Sequence, residues 1–170
     1  MRITADARRS MAQKGRITIE RTYKARIEDV WALWTTKEGI ESWWGPDGFA
    51  ALVRTIDLRP GGALRYAMTA TAAPQIEFMK KAGMPLTNEH RIVFTEVQPP
   101  TRLAYTHLVD FVPGVDSYEV EILVELRETA GSVRMVLTID RMHDDVWTER
   151  AIAGWEMELG KLATVLETRP

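Results

Sequence analysis

Few residues in this chain could carry proton or metal chemistry. The three histidines are His90, His107 and His143. No two of them stand four apart and there is no H-E-x-x-H, so no metal-ligand spacing is present and no metal or other cofactor is expected. The chain has no cysteine, which removes disulfides, thiolate metal sites and a Cys nucleophile. Neither G-x-S-x-G nor G-x-x-x-x-G-K-[ST] occurs, and Gly61-Gly62 reads as a turn before a strand, not as a phosphate loop opening a helix. His107 shares strand parity with Leu103, Tyr105 and Val109, so it faces inward with them. An imidazole there, with an ordinary pKa of about 6.5, can serve as acid, base or hydrogen-bond partner. An enzyme would need a second group beside it, and Tyr105 and Glu77 are the candidates. Otherwise His107 is a polar wall residue, and no catalytic residue is assigned.

Arg141 continues the inward parity of Val133 to Ile139. It could hold a ligand carboxylate in a fork, or leave the sheet edge and bridge to a surface acid. Asp110 marks a strand end, and His143, Asp144 and Asp145 read as helix-start chemistry. Six tryptophans are core residues by default. Trp43 and Trp44 are neighbours, about 100° apart on a helix. They therefore point differently: one packs inward, and the other rims an opening where an aromatic ligand is at home.

Positioning these residues falls to a strand, two helices, a run of strands and a long helix. Residues 16–23 (RITIERTY) alternate at strand period. Ile27, Val30, Trp31 and Trp34 then make an amphipathic stripe, and Thr36 is placed to cap a second short helix with face Ile40, Trp43 and Trp44. Gly45-Pro46-Asp47-Gly48 stops it. Strands follow over Ala50–Leu58, around Leu64, Tyr66 and Met68, and over 91–97 and 102–109. Alternation is cleanest at Tyr118, Val120, Ile122, Val124 and Leu126, and again at Val133, Met135, Leu137 and Ile139. That pattern means an antiparallel sheet with one wet and one covered face. From about Asp145 to Glu167 the stripe Trp147, Ala151, Trp155, Leu159, Leu162 and Leu166 predicts a helix of about 34 Å. Gly154 and Gly160 within it imply close approach to another element, or room for something else. The fold class is α+β: a curved antiparallel sheet of about six or seven strands wrapped around the C-terminal helix.

The chain has 170 residues, a single-domain length, with 45% hydrophobic and 27% charged residues. Its net charge of −2 leaves no electrostatic footprint for nucleic acid or an anionic membrane. No apolar run is long enough to span a bilayer, and residues 1–15 lack a signal-peptide core, so a cytoplasmic location is expected. Those fifteen residues read as a flexible tail or as an arm reaching a partner copy. Residues 16–170 form the single domain.

WALWTTKEGIESWWGPDGF, IDLRPGGALRY, EVQPPTRLAYTH and GWEMELGKLATVLE, in that order, resemble the homologues of the heat-shock-protein-90 ATPase activator. That family sits in the START and birch-pollen-allergen-like superfamily, also called SRPBCC or helix-grip. The resemblance covers about residues 16–167 and implies the helix-grip fold. Two departures stand out: Ala25-Arg26 replaces the family's usual Ala-Pro, and 71–88 is an insertion where the family has a short hairpin. Pro74 starts a helix through Ala82 with Gly83 ending it, or the segment is a loop. Such an insertion packs Phe78 on the rim, forms a lid or makes a dimer contact.

Three functions compete. In the leading one the inward set of Tyr66, Met68, Phe94, Tyr105, Tyr118, Met135 and Met142 leaves a cavity beneath the helix. Trp43, Trp44, Phe78, His107 and Trp155 complete that set. The ligand would be a small apolar or aromatic molecule oriented by Tyr105 and His107, in a pocket of roughly 300–1,000 Å³. The resemblance implies the second, a chaperone-binding interaction domain. The third is a cyclase- or dehydratase-type enzyme using His107. A homodimer is compatible with all three.

Overall fold

The structure, a computed structural model, describes residues 15–168. All of the expected N-terminal tail except Gly15 lies outside them. Seven strands form one antiparallel sheet: β1 (Ile17–Tyr23), β2 (Phe49–Ile56), β3 (Ala63–Ala70), β4 (Thr87–Gln98), β5 (Arg102–Val109), β6 (Tyr118–Thr129) and β7 (Ser132–Ile139). Their spatial order is β1-β7-β6-β5-β4-β3-β2, so five successive strand-to-strand connections join neighbours and β1 closes onto β7. Register shifts between Val53 and Thr55 and between Phe94 and Glu96 mark bulges in β2 and β4. Bulges bend a strand and raise its twist, which suits a sheet that must curve round a helix.

The covered face follows the alternation. Val120, Ile122, Val124 and Leu126 of β6 and Val133, Met135, Leu137 and Ile139 of β7 are all buried. The charged residues between them stand on the other face, where Arg16 bridges Glu121 at 2.9 Å and Asp140 at 3.0 Å.

After β1 come the two short helices, α1 (Ile27–Thr35) and α2 (Lys37–Trp43). Thr36 caps the second as expected, its hydroxyl accepting from the Gly39 backbone N–H at 3.0 Å. The insertion folds as a helix, α3 (Ala73–Lys81), with Pro74 in its first turn and Gly83 beyond its end at φ +67°. The excursion is shorter than expected, because β4 begins at Thr87, four residues before the start of the expected strand. Met79 anchors α3 to the body, while Phe78 is 67% exposed.

The long helix, α4 (Asp145–Thr168), carries Leu159 and Leu162 into the same core as the sheet and α1. Its start is held by Asp144, whose carboxylate accepts from the Trp147 N–H at 2.8 Å. Thr148, outside the expected stripe, is 1% exposed. Its hydroxyl donates to the Asp144 carbonyl at 2.7 Å and accepts from the Met142 N–H at 3.0 Å. Nothing approaches where a Cβ would stand on Gly154 or Gly160, so close helix packing is not their reason. Among the described residues, no helix is long and apolar enough to cross a membrane.

Candidate functional site

The cavity lies where α2 and α4 meet the middle of the sheet. Tyr66 and Met68 come from β3, Ile92 from β4, and Tyr105 and His107 from β5. Trp43 and Trp44 close one side, Trp155 and Glu158 of α4 another. Its volume is about 120 Å³. This corrects the expected 300–1,000 Å³: the large side chains that were to line a roomy pocket occupy most of it.

Aromatic rings run through the site in sequence. Trp155 stacks near Trp34 at 6.1 Å between centroids, and Trp34 meets Trp43 edge-on at 4.7 Å. Trp44 stands edge-on to Trp43 at 6.0 Å and to Tyr66 at 5.3 Å, and Tyr66 stacks on His90 at 5.2 Å. Trp43 and Trp44 both line the cavity, and their ring planes differ by 77°. The 100° separation holds within a helix, but α2 ends at Trp43 and Trp44 has extended backbone (φ −69°, ψ 145°). The Trp43 indole donates to the Leu33 carbonyl at 2.7 Å, whereas the buried indole N–H of Trp44 has no acceptor among the described residues.

Glu158 is the acidic side chain in this wall. Its Oε1 accepts from the Gly45 N–H at 2.8 Å, and Lys161, one turn on, donates to the Gly45 carbonyl at 2.7 Å. Gly45 sits at φ +99°, a conformation suited to glycine, so α4 grips both backbone groups of the loop that ends α2. Burial raises the carboxyl of Glu158 above its ordinary range, against the Gly45 hydrogen bond and Lys161, which pull it down. Tyr66 and Tyr105 are pushed well up by burial, and the Glu158 charge adds to both shifts. His107 is lowered, first by burial and also by His90, against a backbone hydrogen bond. At neutral pH the site therefore holds two protonated phenols and a neutral imidazole, beside an acidic side chain whose charged form burial disfavours.

Of the eleven pocket candidates, the structure gathers seven: Trp43, Trp44, Tyr66, Met68, Tyr105, His107 and Trp155. Phe94 and Met135 are buried elsewhere in the core, at 1% and 0% exposure, packed where the sheet meets the helices. Tyr118 stands at the start of β6, its hydroxyl 2.7 Å from His143 Nδ1 and accepting from the His143 backbone N–H at 3.1 Å. Phe78 points to solvent on α3. Glu77 pairs there with Lys81 at 3.0 Å, on an exposed face, and does not reach His107. Arg141 takes the surface option, donating to Asp145 at 2.8 Å. Among the described residues, no group of three or more His, Asp or Glu side chains could hold a metal ion.

Glu158 and Ile92 belong to the site and were missed from sequence. The signal for Glu158 was present: it stands three residues after Trp155 and four before Leu162, inside the apolar stripe. Ile92 shares the strand parity of Phe94.

Comparison with solved structures agrees with this architecture. A Chromobacterium violaceum protein is 22% identical, with a TM-score of 0.72 over 92% of this chain and 99% of that one. The AHSA1 protein from Silicibacter pomeroyi is 21% identical, with a TM-score of 0.68 over 90% and 98%. An AHSA1-like protein from Aeromonas hydrophila is 23% identical, with a TM-score of 0.67 over 89% and 92%. At such identities the likeness is one of fold. No curated protein matches the sequence. The family model described as "Activator of Hsp90 ATPase homolog 1-like protein" matches residues 24–167. With most of its length inside that match and a helix-grip architecture, the chain belongs to the Activator of Hsp90 ATPase homolog 1-like family.

Proposed function

We propose that the protein binds a small aromatic molecule in the cavity between the sheet and α4, one ring in size, with a donor group that meets Glu158. The observation that carries this reading is a desolvated carboxylate facing a hollow walled by rings. A buried carboxylate is unfavourable unless it is paired or hydrogen-bonded. The Gly45 N–H satisfies Oε1, and among the described residues no other hydrogen bond reaches the carboxylate. Glu158 is half-buried and its Oε2 is not sealed in the core, so that oxygen is open to accept from a ligand O–H or N–H. Volume supports the same scale: an apolar cavity of about 150 Å³ accommodates benzene, and this one is about 120 Å³. Five tryptophan and tyrosine side chains in the wall, Trp43, Trp44, Tyr66, Tyr105 and Trp155, favour an aromatic guest over an aliphatic one through edge and face contacts.

Displacement of a solvatochromic dye by 4-methylphenol, with amide chemical-shift mapping of the same complex, tests this. The expected result is competitive displacement with shifts clustered at Trp44, Tyr66, Tyr105 and Glu158. No displacement, or shifts confined to the outer face of the sheet, overturns it.

A further inference from the structure

The cavity adjoins a second space that its own residues do not explain. β4 and β5 pair only from Ile92↔His107 through Gln98↔Arg102. Beyond Ile92 the chain of β4 runs on to Thr87 alongside β3, while β5 continues to Val109 alongside β6. The two strands part there, and the sheet is split. The resulting cleft, about 440 Å³, is bounded by β3 and β4 on one side and by His107, Leu108 and Asp110 on the other. Residues of both strand parities line it, including Tyr66 with Arg65 and His90 with Arg91, as a gap through a sheet requires. Tyr66 and His107 line both the cleft and the inner cavity. Tyr66 is thus the partition, with Trp44 on one flank and His90 on the other.

The charges in the cleft are not balanced. Arg54 is occupied by Glu89, at 3.1 Å. Arg65 and Arg91 stand directly opposite each other across the β3–β4 ladder. Like charges in that relation repel, and neither guanidinium has a hydrogen bond or ion pair among the described residues. Asp110 lies across the cleft as the one remaining acidic side chain among the described residues that line it, and burial holds both histidines toward their neutral forms. An anion between the two arginines would remove the repulsion and accept from both forks.

We propose that the split between β4 and β5 is the access route to the cavity, and that Arg65 and Arg91 hold the acidic group of an aromatic carboxylate whose ring lies inside. This rests on the reading that the cavity takes an aromatic ring, and it adds the substrate class. Its test compares 3-(4-hydroxyphenyl)propanoate with the corresponding amide by isothermal titration, on the unaltered chain and on Arg65→Gln/Arg91→Gln. The acid is expected to bind about tenfold more tightly than the amide, equivalent to about 1.4 kcal/mol. That preference is expected to vanish in the double variant, with amide affinity unchanged. Equal binding of acid and amide, or a preference that survives the substitutions, overturns the anion site and leaves the cavity reading standing. Binding of neither compound overturns both.

Discussion

At the scale of single residues, Glu158 carries the most tension. Its carboxyl is raised by burial, so the native state keeps a proton that the unfolded chain releases near the ordinary value of 4.5. Stability tied to this group is therefore present below 4.5 and declines as pH rises through the raised native value. Glu158→Gln removes the charge while keeping an oxygen to accept from Gly45. The variant is expected to melt higher than the parent above neutrality and to match it below 4.5, as read by thermal melts across pH. His107 and His90 act in the opposite sense. Both are lowered, mainly by burial, so the unfolded chain takes up protons first as the solution is acidified. Their contribution is expected to disappear as pH falls from about 6.5 toward their lower native values. His107→Gln should flatten that part of the melting profile; an unchanged slope would place the titration elsewhere.

At the scale of elements, α4 both covers the sheet and grips the loop after α2. Its ends and its stripe were legible in the sequence because apolar spacing at 3.6 residues needs no tertiary knowledge. Thr148 was not legible, since its burial depends on the turn at Met142 folding back to meet its hydroxyl. Thr148→Val is expected to cost about 1–3 kcal/mol in denaturant unfolding, the range for stranding a buried N–H. Gly160 has open space where a Cβ would go, so Gly160→Ala is expected to stabilise by up to about 1 kcal/mol through helix propensity. Gly45 behaves differently. At φ +99°, with Met68 Sδ 2.7 Å from the position of a Cβ, Gly45→Ala is expected to destabilise by about 1–3 kcal/mol. For the insertion at 71–88, Pro74 and Gly83 signalled a helix but left a loop open, and the structure forms the helix. Its relation to the site was not legible, because the exposure of Phe78 is decided by which face Met79 buries.

For the whole molecule, strand alternation and the terminal stripe were enough to read a sheet curved around a helix. Cavity volume was beyond the same reading. A hollow of about 120 Å³ is the difference between large filled volumes, and the rotamers of Trp44, Tyr66 and Tyr105 decide it. The split between β4 and β5 was hidden for a related reason. Periodicity identifies strands but does not say where two neighbours cease to pair. What the assembled fold adds is an adjoining pair of spaces, one walled by rings and Glu158, the other bearing two arginines that have no partner among the described residues.

The most direct measurement is a crystal soaked in 4-bromophenol, with anomalous scattering recorded at the bromine edge. One dominant peak is expected beneath α4, between Trp44, Tyr105 and Trp155, with the phenol oxygen toward Glu158. Bromine found on the surface alone, with those side chains closed over an empty interior, would contradict this expectation.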